Sequence, residues 1–271
     1  MPEGKHKISA IVTCCNNMPY VEACLRSVAW VDELIVVDSG SRDGTKEVAR
    51  RYADRFFQRE YTSESEQRNW AIAQASHDWI AIIDSDEVMP PSLRDELRET
   101  LLNPAYDRYC VRRRGIFLGR EMKHAGWKSD RNNILFRKDL YRFNDAAVHS
   151  RLVPEGPCGL LKNKLLHYTH RSLEEFVKKS NRYAALQAQA YYRRGRKGGA
   201  AKIALRPAFN FIWNYVFRRG FLDGARGLIS AVLASCYIAE KYALLWELEK
   251  DPLGRGRKEN APANQERGTN S

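Results

Sequence analysis

Three acids fall within four residues in Asp84-Ser85-Asp86-Glu87, directly after the apolar run Trp79-Ile80-Ala81-Ile82-Ile83. Carboxylate oxygens are hard donors that suit Mg²⁺ or Mn²⁺. Such a cation can grip diphosphate oxygens and neutralise charge growing on a departing nucleotide. The same triplet also reads as an ordinary solvated turn. A further acid, Asp38, ends Leu34-Ile35-Val36-Val37 and opens the turn-rich stretch Ser39-Gly40-Ser41-Arg42-Asp43-Gly44-Thr45. Its carboxylate could accept hydrogen bonds from a base or ribose while the small residues let backbone approach a ligand. Alternatively, the stretch is a tight turn in which Asp43 caps a helix.

The elements that must position these acids alternate. Ile8 to Cys14, Glu33 to Asp38, Arg55 to Gln58 and Trp79 to Ile83 read as strands; Tyr20 to Val28, Thr45 to Tyr52 and Glu64 to Ala75 read as amphipathic helices. Near-continuous Ile/Val runs fit a mostly parallel sheet covered on both faces, whose sites form at the strand C-terminal ends. Pro90-Pro91-Ser92 opens another helix, reaching about Leu102, because proline is tolerated in a first turn. Tyr109 to Leu118 and Ile134 to Arg137 then read as strands of a mixed part of the sheet, separated by a loop at Gly126-Trp127.

From Ser172 onward the pattern is helical. A first helix is broken by Arg194-Gly195-Arg196-Lys197-Gly198-Gly199. A second begins near Pro207 and carries the aromatic run Phe209 to Phe217, and a third covers about Asp223 to Glu249. The longest uncharged run of that third helix, Gly227 to Ala239, has thirteen residues, short of the roughly 20 needed to span a bilayer. These boundaries give residues 1–170 as a catalytic α/β domain, 171–250 as a basic helical region and 251–271 as a disordered tail. The net charge is +12, and residues 171–230 hold thirteen Lys/Arg against three Asp/Glu. Such a stripe attracts nucleic acid or anionic lipid. The six cysteines form no CxxC pair and read as reduced thiols of a cytoplasmic protein. The run Ile8 to Cys15 leads into Asn16-Asn17-Met18-Pro19 rather than a small-residue cleavage site, so it reads as a buried strand and not a signal peptide.

Together these pieces resemble the inverting family 2 glycosyltransferases. The matching segments are Ile8-Ser9-Ala10-Ile11-Val12-Thr13, Tyr20 to Val28, Val37 to Thr45 and Asp84 to Glu87, in the family's order over roughly residues 6–150. The resemblance implies a GT-A fold and a nucleotide-sugar site. Thr13 would line the base pocket, Asp38 would hold the uracil or ribose, Asp84 would lie near the ribose and metal, and Ser39 and Ser85 would belong to the same nucleotide-sugar site. Asp86 would ligate Mg²⁺ or Mn²⁺. Gln67-Arg68-Asn69 matches the family segment before the acids; Arg68 would face the nucleotide, or else make a surface helix salt bridge.

The segment Gly126-Trp127-Lys128-Ser129-Asp130-Arg131-Asn132-Asn133-Ile134-Leu135-Phe136-Arg137 looks like the lipopolysaccharide-core β-glucosyltransferase branch. Asp130 would then be the base that takes the acceptor hydroxyl proton, or a structural acid. His149 would complete the metal site or touch the diphosphate, or be structural, and Arg151 would offset phosphate charge. His167 and His170 read as structural.

The resemblance implies a UDP-sugar donor, glucose being the expected hexose, a lipid-linked glycan acceptor, and peripheral contact with anionic membrane at the inner face of the cytoplasmic membrane. The aromatic helices would serve that contact, or pack on the catalytic domain or a second copy in a homo-oligomer. Nucleic acid is not expected as a partner. Two competing readings are a basic nucleic-acid-binding protein, which lacks an RRM, KH or zinc pattern, and a nucleotidyltransferase using the same acids. No G-x-G-x-x-G follows the first strand, which disfavours a dehydrogenase.

Overall fold

The computed structural model describes residues 6–18, 20–144, 150–170 and 172–251, without the side chains at 128–130 and 170. The expected tail lies outside the described residues. The chain forms two compact units, one of Met1–Lys123 with Trp127–Thr169, the other of His124–Gly126 with His170–Ser271.

The first unit is built on β1 (Ile8–Cys14), flanked in parallel by β2 (Glu33–Asp38) and β4 (Trp79–Asp84), with β3 (Arg55–Gln58) beyond β2. The crossovers run through α1 (Val21–Val28), α2 (Thr45–Tyr52) and α3 (Glu64–Gln74). Alternate residues of these strands enter separate cores. Ala10, Val12, Leu34, Val36, Ala81 and Ile83 join α1 and α2 on one face; Ile11, Ile35, Val37, Ile80 and Ile82 join α3 on the other. A sheet covered on both faces has no polar side to its strands, so the sequence shows runs rather than alternation. α1 buries Val21, Cys24, Leu25 and Val28, the i, i+3, i+4, i+7 stripe of a helix with one apolar face.

The rest of the sheet is mixed. After β5 (Glu87–Val88) and α4 (Pro91–Thr100), β6 (Arg108–Phe117), β7 (Arg120–Glu121), β8 (Lys128–Arg137) and β11 (Gly159–His170) complete a nine-stranded sheet in the order β3-β2-β1-β4-β8-β6-β11-β5, with β7 on β6. β8 starts six residues earlier than expected, because its polar residues pair along β6. The register shift between Arg112 and Arg114, two steps on β6 against three on β8, marks a bulge in β8. A separate pair joins β9 (Arg142–Phe143) to β10 (Leu152–Val153). The mixed α/β architecture is the one expected.

The cysteine reading needs correction. Cys110 and Cys158 form a disulfide, and Cys14, Cys15, Cys24 and Cys236 are free. Their 48-residue separation gives no local spacing to notice; the bond arises because β6 runs beside the segment entering β11.

In the second unit α5 (Leu173–Arg193), α6 (Ala200–Ile212) and α7 (Gly224–Lys250) pack together, α6 leading through a π-helical turn, Trp213–Phe217, and a 3₁₀ turn, Gly220–Asp223. The second helix therefore starts seven residues before the expected Pro207. Gly199, at φ +122°, releases the chain into the helix, and Pro207 lies inside it despite the hydrogen bond that proline removes. Ala188, Tyr242 and Leu245 form the core. Lys241 is buried with its Nζ 5.0, 5.4 and 5.2 Å from the ring centroids of Tyr191, Tyr237 and Tyr242, a cation–π arrangement.

The third helix, Gly224–Lys250, lies where expected, but its thirteen-residue uncharged run understates the apolar length. The 31 residues Gly220–Lys250 are, among the described residues, the one helix long and apolar enough to cross a membrane by length and composition. Ser230, Ser235 and Lys241 on α7 are nevertheless buried.

Candidate nucleotide-sugar site

The parallel register brings three expected residues to one end of the sheet: Thr13 pairs with Asp84 and Cys14 with Asp38. Asp38 is fully buried. Its Oδ2 accepts the amides of Gly40 and Ser41, each at 2.9 Å, and the Cys14 thiol faces Oδ1 at 3.7 Å. The carboxylate thus shapes the loop after β2, which Gly40 turns at φ +84°. Burial and the Asp38 charge push the Cys14 thiol up. The N-cap of α2 is Gly44 rather than the expected Asp43; Asp43 instead accepts from the Thr45 amide and hydroxyl at 3.1 and 2.6 Å. Ser39 accepts from Gln67 Nε2 at 3.0 Å. Thr13, Ser39, Tyr61 and Gln67 line a cleft of about 180 Å³.

Arg68 makes the helix salt bridge of the alternative reading and also reaches the acid loop. It bridges Glu64 one turn back at 2.5 Å and reaches Asp84 Oδ1 at 2.6 Å, and its guanidinium lies over Phe143 at 5.1 Å. Asp84 Oδ2 meets Arg113 Nη2 at 2.9 Å, while Arg113 Nε lies 2.5 Å from Glu87. Glu87 Oε2 accepts the Asp84 amide at 2.9 Å. Burial works to raise Asp84, but Arg68 and Arg113 outweigh it and hold the carboxyl below the usual range. Burial and the Asp84 charge push Glu87 up to about 8 against the pull of Arg113. Two acids competing for one guanidinium explains the divergence. Ser85 accepts from Asn17 Nδ2 at 2.7 Å, tying the acid loop to the β1–α1 loop.

Asp86 turns elsewhere. Its Oδ2 lies 3.5 Å from His167 Nε2, and its carbonyl accepts the Tyr168 amide at 2.9 Å. The antiparallel pairing of β5 with β11, with His167 opposite Glu87, makes this meeting possible. His149 lies outside the described residues. Asp130 belongs to β8, and its side chain is outside the described set. The sequence reading missed Arg113 and, having read His167 as structural, did not foresee its approach to Asp86; both arrive by long-range strand pairing. Arg68, Arg113, Arg131 and Arg151 line a cleft of about 480 Å³ beside Asp84, an environment suited to phosphate oxygens.

Among the described residues no three His, Cys, Asp or Glu side chains form a ready metal cluster. Asp84 has both oxygens on arginines, whereas Asp86 and His167 offer one carboxylate and one imidazole, each partly exposed. Mg²⁺ commonly takes one or two carboxylates and completes its shell with phosphate oxygens and water. The donor set fits a cation carried by a diphosphate.

A strand-end acidic site of this kind belongs to an α/β transferase. The chain is a member of glycosyl transferase family 2, whose model matches residues 9–157. It is similar to the lipopolysaccharide core biosynthesis glycosyltransferase LpsC of Rhizobium meliloti (strain 1021), 30% identical over 258 residues, covering 89% of this chain and 94% of LpsC. An uncharacterized glycosyltransferase of Rickettsia prowazekii (strain Madrid E) is 25% identical, covering 84% of this chain and 82% of that one. Among solved structures, S. aureus TarS 1-349 in complex with UDP-GlcNAc matches at a TM-score of 0.46 with 15% identity, covering 91% of each chain. The membership makes sugar transfer the activity, in place of the nucleic-acid-binding and nucleotidyltransferase alternatives.

Proposed function

We propose that this glycosyltransferase moves a hexose, glucose as first choice, from a UDP-sugar to a lipid-linked glycan such as lipopolysaccharide core, with inversion at the anomeric carbon. The observation that carries the reading is the convergence of Thr13, Asp38 and Asp84 at adjoining strand ends beside the arginine-lined cleft. Similarity to LpsC along most of both chains supports the acceptor class.

Thr13, Ser39 and Gln67 would receive the base, with Asp38 fixing the loop around it. Arg68 and Arg113 hold Asp84 ionised and supply positive charge toward the diphosphate, where Arg131 and Arg151 add to it. Asp86 and His167 would hold Mg²⁺ or Mn²⁺, which when bound offsets the charge left on the departing diphosphate. Asp130 is the proposed base. It takes the acceptor hydroxyl proton as that oxygen attacks C1 opposite the leaving group. His149 is retained as a second candidate for the metal or diphosphate.

The enzyme would work at the cytoplasmic membrane's inner face. In the helical unit Leu205, Phe209, Trp213 and Phe217 are exposed, with Arg206, Arg218 and Arg219 beside them in the chain. Aromatic side chains flanked by arginines suit an anionic headgroup boundary; a homo-oligomer would use the same face.

A thermal-shift panel of nucleotide sugars with and without Mn²⁺ tests the donor. A ligand that binds the native state raises its stability with occupancy, so UDP-glucose should produce the largest rise, and more with Mn²⁺. Equal response to every nucleotide sugar, or to none, would sink the donor assignment.

A further inference from the structure

A second cleft, of about 470 Å³, opens on the same unit, within the about 300–1,000 Å³ typical of small-molecule sites. It is lined by Arg112, Arg113, Arg114, Lys123, Lys164 and Trp127, and by a single acid, Glu121. Arg114 is paired with Glu121 at 3.2 Å, and Arg113 with Asp84 and Glu87. Arg112, Lys123 and Lys164 are exposed. Five cations around one carboxylate are an anion site in charge terms.

Two features show that the cleft is built. Three successive residues of β6, Arg112, Arg113 and Arg114, all line the cleft, opposite a bulge that the register places on β8. The Trp127 indole lies against β6 where Gly115 leaves room. A Cβ at 115 would stand 2.7 Å from the indole Cε3, and Phe117 braces the ring at 5.4 Å. A flat, braced indole in a ring of cations offers a stacking surface for a pyranose and charge for its acidic substituent.

Arg113 also lines the donor cleft, so a sugar held at Trp127 is a neighbour of the Asp84 site. We propose that this second cleft is the acceptor subsite, and that the acceptor is an anionic sugar, its ring on Trp127 and its phosphate or carboxylate on Arg112, Lys123 and Lys164. The assignment rests on the donor reading above and adds the acceptor's chemical class to it.

The test titrates the full-length protein, saturated with UDP and Mn²⁺, with glucose 6-phosphate, glucuronate and glucose, followed by saturation-transfer NMR. Both acidic sugars, or one of them, should bind at least roughly tenfold more tightly than glucose; which one does so separates phosphate from carboxylate recognition. The double substitution Arg112→Gln with Lys164→Gln should weaken that binding roughly tenfold, about 1.4 kcal/mol, and leave UDP affinity unchanged. Trp127→Phe, which keeps an aromatic surface, should fold and bind more weakly than wild type. Equal binding of glucose, or an undiminished affinity in the double variant, would overturn the assignment. UDP affinity, titrated beforehand on the sugar-free protein, checks the donor reading separately.

Discussion

Arg113 Nη2 on β6 lies 2.9 Å from Asp84 Oδ2 at the end of β4, and the same guanidinium reaches Glu87. One cation therefore holds two acids three residues apart, one of them wholly inside the protein. Substituting Arg113→Gln should remove this partner from Glu87 and leave Asp84 with Arg68, costing about 1–3 kcal/mol and lowering Tm by about 2–4 °C for each of these. Turnover should fall on the order of 10²-fold, as when a preorganised donor is removed. A variant with wild-type melting and rate would show that the pairing matters to neither.

Asp86→Asn removes the carboxylate that faces His167. Wild-type protein with UDP and Mn²⁺ at about 100 times Kd should gain about 2.7 kcal/mol, and the variant should lose the Mn²⁺-dependent part of that gain. EDTA should reduce wild-type turnover to the variant's level; full activity in EDTA contradicts a cation-assisted departure.

Alkylation of the unfolded, unreduced chain should label Cys14, Cys15, Cys24 and Cys236 and spare Cys110 and Cys158. Cys158→Ser should cost about 2–4 kcal/mol through the freed loop, read from urea midpoints. Six labelled thiols before reduction would mean that the bond does not form.

Glu33 supplies a pH signature. Burial opposes its charge, but hydrogen bonds from the Ser9 hydroxyl at 2.5 Å and the Ser76 amide and hydroxyl at 2.8 Å prevail, holding it below its ordinary 4.5. The unfolded chain then takes up the proton first as pH falls. The stabilisation is complete above about 4.5 and is lost as pH drops through the folded value. Glu33→Gln should be about 1–3 kcal/mol less stable near neutrality, and the gap should close in acid. A gap of constant size from neutral to acid pH would exclude this origin.

On the helical unit, Trp213→Ala with Phe217→Ala should cut sedimentation with anionic vesicles at least roughly tenfold, since burial of each ring is worth about 1.5–3 kcal/mol when complete. Binding should weaken with salt. Wild-type sedimentation of the variant, or a shift from dimer to monomer without vesicle binding, would move this face to a protein partner.

The parallel half of the sheet was legible because its signals are local: Ile8 to Cys14, Glu33 to Asp38 and the acids after Trp79 stand out as uninterrupted runs ending in polar residues. Asp84 was visible for the same reason. Arg113, His167 and the Cys110–Cys158 bond were not, since each meets its partner through antiparallel strands far apart in the chain, and Arg113 is one arginine among three. Asp38 was found, but its carboxylate bonds its own loop, an outcome decided by the φ of Gly40. Pro207 suggested a helix start, whereas the structure tolerates it within the helix.

The tyrosine-lined seat of Lys241 sets the azimuth of α7 about its own axis. Rotating the helix by one residue would carry Tyr237 and Tyr242 along with the ammonium but strip it of Tyr191 on α5. Hydropathy is blind to this constraint. Replacing α7 with a generic greasy span would preserve its length and apolarity and still dismantle the packing of the three helices.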